Sequence, residues 1–225
     1  MPVALVTGGN RGIGFETTRQ LLERGYEVHA TFRRNPGGLK DVEHPNLHRH
    51  QMDVRHDDEV ARVMANIGPR LDLLVNNAGI SDGRWACIED IDFAHVADVM
   101  EVNAISPVRV TQHALPLLDG AGGGKVVMIS SLMASIDDCL SGKSYAYRAS
   151  KTALNMFTVA MKNELRERNI SLLLIHPGWV ETDMGGPRAP VLPHESVTGI
   201  MERIEEQTLD MSGRFVEYTG RPLPW

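Results

Sequence analysis

Cysteine is scarce in this sequence: Cys87 and Cys139 are the only two among 225 residues. Two thiols cannot build the dense disulfide framework of a small secreted domain, and they suit a reducing compartment. An excess of positive charge is also missing. The formal net charge of -6 argues against a nucleic-acid or membrane-surface partner, because both need clustered Lys and Arg. No apolar run approaches the roughly 18 residues that cross a bilayer. The opening Met1-Pro2-Val3-Ala4-Leu5 reaches Thr7-Gly8-Gly9 too soon for a signal h-region and carries no basic leader. A soluble, cytoplasmic protein is therefore expected. Internal repeats and low-complexity linkers are lacking, so residues 1–225 read as a single domain. Nine histidines are present, but no His-Glu-x-x-His pair or clustered cysteine spacing accompanies them, and no metal site is expected. His48 and His50 share a strand face. With no acidic or third-histidine neighbour in the pattern, they read as surface residues.

Present instead is a regular alternation of short apolar runs and longer helix-like segments. Strands are expected at Val3–Val6, Glu27–Phe32, Leu47–Asp53, Leu71–Val75, Lys125–Ile129, Ile170–Ile175 and Phe215–Val216. Helices are expected at Phe15–Arg24, Asp57–Ile67, Phe93–Leu118 in two segments, Ser150–Arg168 and His194–Leu209. Strands of continuous apolar character are buried on both faces, as in a parallel sheet covered by helices. The alternation predicts a doubly wound α/β fold. The Pro/Gly-rich stretch 185–190 falls between a strand and a helix, and reads as a loop lining a site.

Ligands of such sheets sit outside the carboxyl edge, so candidate site residues belong at the strand ends. Thr7-Gly8-Gly9-Asn10-Arg11-Gly12-Ile13-Gly14 follows the first strand and opens a helix. Glycines let the backbone turn sharply against a pyrophosphate, and the helix N-terminus offers it free N–H groups and a positive dipole end. A glycine-rich strand-to-helix turn with no ligand would look similar. Arg33 and Arg34 follow the second strand, where an acidic residue would hold a ribose 2′-hydroxyl. A guanidinium there matches a 2′-phosphate, and Arg11 would add a second charge at the same place. NADP(H) is accordingly expected over NAD(H).

Tyr147 and Lys151 are four residues apart, so on a helix they share a face. A free phenol titrates near ~10, and an adjacent fixed positive charge stabilises its anion. That pairing suits proton exchange with a carbonyl or alcohol oxygen. Tyr145 has Ala149 at the matching position and is no equal candidate. Ser131 follows the Lys125–Ser130 run and would donate to a substrate oxygen, or simply close the strand. Small residues at Asn76-Asn77-Ala78-Gly79 would let a flat ring pack against a strand end. Asn103 interrupts an apolar helical pattern, which is as much a structural signal as a catalytic one.

Taken in order, these segments resemble the short-chain dehydrogenase/reductase family. The resemblance rests on Thr7-Gly8-x-x-x-Gly12-x-Gly14, Asp53-Val54, Asn76-Asn77-Ala78-Gly79, Asn103, Ser130-Ser131, Tyr147-x-x-x-Lys151 and Pro177-Gly178, and spans nearly the whole chain. Residues 144–151, Pro177-Gly178-Trp179-Val180-x-Thr182-Asp183-Met184 and the terminal Leu223-Pro224-Trp225 look like the sniffer/C-factor group of carbonyl reductases.

The resemblance implies a Rossmann-type sheet of seven strands in the order 3-2-1-4-5-6-7. It implies Tyr147 as acid/base, Lys151 as the group that lowers its pKa and binds the nicotinamide ribose, and Ser131 as the residue orienting the substrate oxygen. Asn103 would support a proton-relaying water. Asp53 would bond the adenine amino group with Val54 beside the ring, Asn77, Ala78 and Gly79 would line the adenosine side, and Thr182 would meet the carboxamide. Gly8, Asn10, Arg11, Gly12, Ile13, Gly14, Pro177, Gly178 and Val180 complete the expected cofactor contacts.

Two departures from the family pattern matter. The Ser131-to-Tyr147 interval is long, so residues around Asp137-Asp138-Cys139 must bulge, with Ser135 as the fallback serine. The segment from Gly178 to His194 is short, so the substrate pocket is expected to be open and permissive. The pocket-lining segments Ser81–Cys87 and Gly185–Pro193 carry Arg84 and Arg188 but no charged cluster.

The expected activity is reversible reduction of a small-molecule carbonyl with NADP(H). A nucleotide-binding signalling or regulatory protein of the C-factor type is the other reading. Apolar positions of the Ser150–Arg168 helix (among them Ala153, Met156, Phe157, Ala160 and Leu165) cover more than half its circumference. One face packed on a sheet needs little more than 100°. The same surplus in the Phe93–Leu118 segment predicts a homodimer or homotetramer built on these helices.

Overall fold

The computed structural model describes residues 1–81 and 87–225. Seven parallel strands form one sheet in the order β3-β2-β1-β4-β5-β6-β7. They are β1 Val3–Val6, β2 Glu27–Phe32, β3 Leu47–Gln51, β4 Leu73–Asn76, β5 Gly124–Ile129, β6 Ile170–His176 and β7 Arg214–Glu217. The helices are α1 Gly12–Glu23, α2 Asp57–Ile67, α3 Phe93–Met100, α4 Ser106–Gly120, α5 Tyr145–Glu167 and α6 Pro193–Glu206.

Alternation along each strand divides the core in two. Val3 and Leu5 face one layer with α2, α4 and α5, through Val60, Val63, Val110, Ala114, Leu154 and Leu165. Ala4 and Val6 face the other layer with α1 and α6, through Leu21, Leu22, Val197, Ile200, Met201 and Ile204. Both layers bury aliphatic side chains against central strands buried on both sides, which is why those strands read as unbroken apolar runs. No helix among the described residues is long and apolar enough to cross a membrane.

Two elements differ from expectation. Helix α5 begins at Tyr145, five residues before the expected Ser150, so Tyr147 lies in its first turn. Its entry residues Lys143 and Ser144 take positive φ angles of 72° and 50°. The expected Phe93–Leu118 pair of segments is joined without a loop: residues Glu101–Ile105 form a π-helical turn between α3 and α4. One extra residue per turn rotates the Asn103 side chain relative to an ordinary helix, and such turns recur at functional sites.

Candidate active site

The glycine turn lies between β1 and α1, and its compactness is set by two backbones in contact. A Cβ on Gly14 would lie 2.2 Å from the Gly8 carbonyl oxygen, and Gly8 itself has φ +65°. Only glycine fits both positions. The turn is braced from β4. Asn77 donates its amide Nδ2 to the carbonyls of Thr7 (2.9 Å) and Gly8 (3.0 Å). Thr7 Oγ1 in return accepts from the backbone N–H groups of Asn77 and Ala78, both at 3.0 Å. Asn77 lines the cleft, but its side chain is spent on holding the turn open.

A continuous cavity of about 1300 Å³ runs from this turn along the carboxyl edge of the sheet. That exceeds the roughly 300–1,000 Å³ of pockets for drug-sized ligands, and leaves room for a dinucleotide and a small substrate together. Gly8, Asn10, Arg11, Gly12, Ile13, Arg33, Arg34, Asp53, Val54, Asn77, Ala78 and Gly79 line it on the β1–β4 side. Ser131, Tyr147, Lys151, Pro177, Gly178, Val180 and Thr182 line it on the β5–β6 side. Of the expected residues only Gly14 and Asn103 stand behind the lining. Gly14 packs under the turn, and Asn103 is fully buried.

Arg33 and Arg34 stand side by side at one end of the cavity. Arg11 lines the same cavity. Its Nη1 is 3.0 Å from Asp183 Oδ2, across the cleft in the loop after β6. Asp53 is more constrained than expected. Its carboxylate accepts from Arg55 Nε (3.0 Å), Arg55 N (3.1 Å) and Arg55 Nη2 (2.7 Å). Those bonds hold its pKa down to about 2, against the opposing effect of burial. Arg55 in turn reaches Asp98 on α3 at 2.6 Å.

At the other end, Lys151 is 5% exposed. Its ammonium donates to the Ile129 carbonyl at 2.8 Å and lies 5.8 Å from the centre of the Tyr147 ring. Burial lowers its pKa to about 8. Asn103 locks the strand-end segment to α5. Its Nδ2 donates to the Ile80 carbonyl (2.8 Å) and to Ser150 Oγ (3.1 Å), and its Oδ1 accepts from Ile80 N (2.9 Å). A Cβ on Gly79 would sit 3.3 Å from Asn103 Oδ1 and 3.8 Å from Lys151 Nζ, so both side chains end close to Gly79.

Ser131 caps a short 3₁₀ turn, accepting from Met133 N at 3.1 Å, and faces the cavity. The fallback Ser135 points elsewhere. It donates to the Trp225 carbonyl at 3.2 Å and accepts from Asp138 N at 3.0 Å. The extra residues between Ser131 and Tyr147 do form an exposed loop, with Ile136 and Leu140 in solvent, and Asp137 N bonds the Trp225 carbonyl at 2.9 Å. Trp225 also packs on Phe215 of β7, ring centroids 5.6 Å apart.

Of the expected substrate segments, Ser81 and residues 185–188 line the cavity, and the rest of Gly185–Pro193 does not. Arg84 lies outside the described residues. Sequence reading missed His176, at the carboxyl end of β6. It lines the cavity with its Nδ1 buried and unbonded, and burial lowers its pKa to about 4. Its place just before Pro177-Gly178, at the ligand edge of the sheet, was the available signal.

The histidine expectation needs correction. His48 and His50 do have a third histidine beside them, and an acid. His29 of the adjacent strand stacks on His48 and meets His50 through a ring nitrogen at 2.9 Å, and Glu27 lies 3.1 Å from His48. Register between β2 and β3 creates this grouping, and sequence spacing does not reveal register.

Comparison with known proteins places this architecture. The short chain dehydrogenase family model matches residues 2–191. The C-signal of Myxococcus xanthus is 42% identical over 158 residues, which cover 70% of this chain and 94% of that protein. Among solved structures, the carbonyl reductase Sniffer of D. melanogaster superposes with a TM-score of 0.95 at 32% identity over the full length of both chains. The NADPH-bound carbonyl reductase from chicken fatty liver superposes with a TM-score of 0.92 at 33% identity, again over both full lengths.

Proposed function

The chain belongs to the short-chain dehydrogenase family, and from that premise we propose that it is an NADP(H)-dependent carbonyl reductase. The observation that carries this reading is the buried Lys151 ammonium, one helical turn from Tyr147 on the wall of the glycine-turn cleft. Removing a charge from water is costly. A protein that only held a nucleotide could use the ammonium on a ribose hydroxyl, but it would gain nothing from the phenol beside it.

The glycine turn, with no room for a Cβ at Gly14, fits a pyrophosphate, and Arg33 and Arg34 fit a 2′-phosphate at the far end of the same cavity. When bound, the nicotinamide supplies or accepts the hydride. The chain's own part is proton handling and positioning. Tyr147 gives its hydroxyl proton to the substrate oxygen as a carbonyl is reduced, and takes it back in the reverse direction. The Lys151 charge stabilises the resulting phenolate. Ser131 donates to the same substrate oxygen and orients it. Asn103 holds Ile80 and Ser150 together, so that Lys151 keeps its place opposite Gly79.

A homodimer or homotetramer suits the outer helices, where Met156, Phe157, Phe93 and Ile105 are exposed in the single chain. Two exposed free thiols, Cys87 and Cys139, suit a cytoplasmic setting. The C-signal relative supports a second reading, a nucleotide-binding signalling protein with no turnover. NADPH oxidation against a panel of quinones, diketones and aldehydes separates the two. Turnover with at least one carbonyl class is expected, and NADPH binding with no oxidation across the panel would favour the signalling reading.

A further inference from the structure

On the edge of the sheet, four side chains of β2 and β3 meet on one face. Glu27 and His29 are two residues apart on β2, so both point the same way. His48 of β3 lies directly opposite His29 in the register, and His50 follows it on the same face. The His29 ring stacks on His48, with centroids 4.6 Å apart, and meets His50 edge to edge, with centroids 5.1 Å apart. Glu27 Oε1 lies 3.4 Å from His29 Nε2 and 3.1 Å from His48 Nε2.

His29 is 2% exposed, and its Nε2 is buried with no hydrogen-bond partner. A buried polar atom without a partner is costly, and a bound ion is one of the things that satisfies it. The other nitrogen has a partner that can hold this one in its ligating state. His29 Nδ1 is 2.9 Å from His50 Nε2. With the proton on His29 Nδ1, donated to His50, the Nε2 lone pair faces Glu27 and His48. Metal-bound histidines are commonly fixed in this way, by a hydrogen bond from the ring's second nitrogen.

We propose that Glu27 Oε1, His29 Nε2 and His48 Nε2 bind one borderline divalent transition ion of the Zn²⁺ type, with His50 as the outer partner that orients His29. These three atoms lie within 4.8 Å of one another. A tetrahedral ion with bonds of about 2.0–2.1 Å separates its ligands by about 3.3 Å, close to the two separations from Glu27, and binding it requires the half-exposed His48 ring to turn out of its stack on His29 so that both Nε2 lone pairs point at the ion. Two imidazoles and a carboxylate form a common donor set for such an ion, and water completes the fourth position. The site lies at the start of β2, away from Arg33 and the cleft that follow the strand's carboxyl end. Its effect is to clamp the edge strand β3 to β2, and it takes no part in the chemistry of the cleft.

The test uses the untagged chain, stripped with chelator and titrated with ZnCl₂ and CoCl₂. One ion per chain is expected, with a higher Tm in zinc and the intense visible absorption of tetrahedral cobalt. His48→Ala and Glu27→Gln alter partly exposed side chains and should leave the fold intact by circular dichroism. Each should weaken binding at least tenfold, and His50→Ala should weaken it by about ten- to a hundredfold. Absence of saturable uptake by the wild type, or wild-type affinity in either His48→Ala or Glu27→Gln, overturns the site.

Discussion

Lys151 donates to the Ile129 carbonyl at 2.8 Å, tying the first half of α5 to the carboxyl end of β5. That bond satisfies one of three ammonium donors in a place water scarcely reaches. The buried cation is therefore a stability cost that depends on pH. Its folded pKa of about 8 lies below the ordinary value of 10.5, so the unfolded chain binds the proton more tightly between those limits. Below pH 8 the cost is fully present, at an order of magnitude of about 3 kcal/mol. It is relieved as pH rises toward 10. Lys151→Met removes the charge. Its stability advantage over the wild type in urea unfolding should be largest at pH 7.5 and shrink by pH 10. A constant difference across that range would contradict the assignment.

Tyr147→Phe removes a hydroxyl from the cavity wall and leaves the α5 packing in place. Carbonyl turnover should fall by about 10²-fold or more, the scale of losing a general acid. The NADPH dissociation constant should stay within a few-fold of wild type. Wild-type turnover in this variant would rule out Tyr147 as the proton donor.

Arg33 and Arg34 set the expected cofactor choice, because Arg11 is engaged with Asp183. NADPH should bind more tightly than NADH. Arg33→Ala should cut that preference by about tenfold to a hundredfold, the worth of one charge-assisted contact of about 1.5–3 kcal/mol. Fluorescence titration with both cofactors reads this directly. Equal wild-type affinities would remove the basis for an NADP preference.

Met156 is 69% exposed and Phe157 40% exposed on α5, where a long helix presents apolar side chains away from the sheet. Light scattering at micromolar concentration should report at least twice the 24.9 kDa chain mass. Met156→Glu should shift the population toward monomer. A clean wild-type monomer would leave those side chains without a partner surface.

Much of the frame was legible because burial on both faces writes itself as continuous aliphatic sequence, as in Leu172-Leu173-Leu174-Ile175 of β6. The family resemblance supplied the strand order, and the glycine turn and the Tyr147–Lys151 spacing pointed to the cleft. Features that depend on register or distant contacts were not legible. The β2–β3 pairing that gathers His29, His48 and His50 is one, and the Arg11–Asp183 pair, 172 residues apart in sequence, is another. The π-helical turn at Glu101–Ile105 is a one-residue slip of phase, which an apolar pattern read by helical spacing absorbs without trace. The start of α5 was missed because its first turn is mostly polar or small and follows Ser141-Gly142, so no apolar stripe marks its beginning.

The Trp225 carbonyl holds Ser135 and Asp137, and the Trp225 ring rests on Phe215. The loop between two cavity-lining residues, Ser131 and Tyr147, is thus tethered by a tail from ninety residues further along. Pocket shape and proton chemistry are thereby separable for an engineer. Removing Pro224 and Trp225 should raise KM for a carbonyl substrate while NADPH affinity holds, and paired exchange of tail and loop would offer a route to new substrate ranges with Tyr147 and Lys151 untouched.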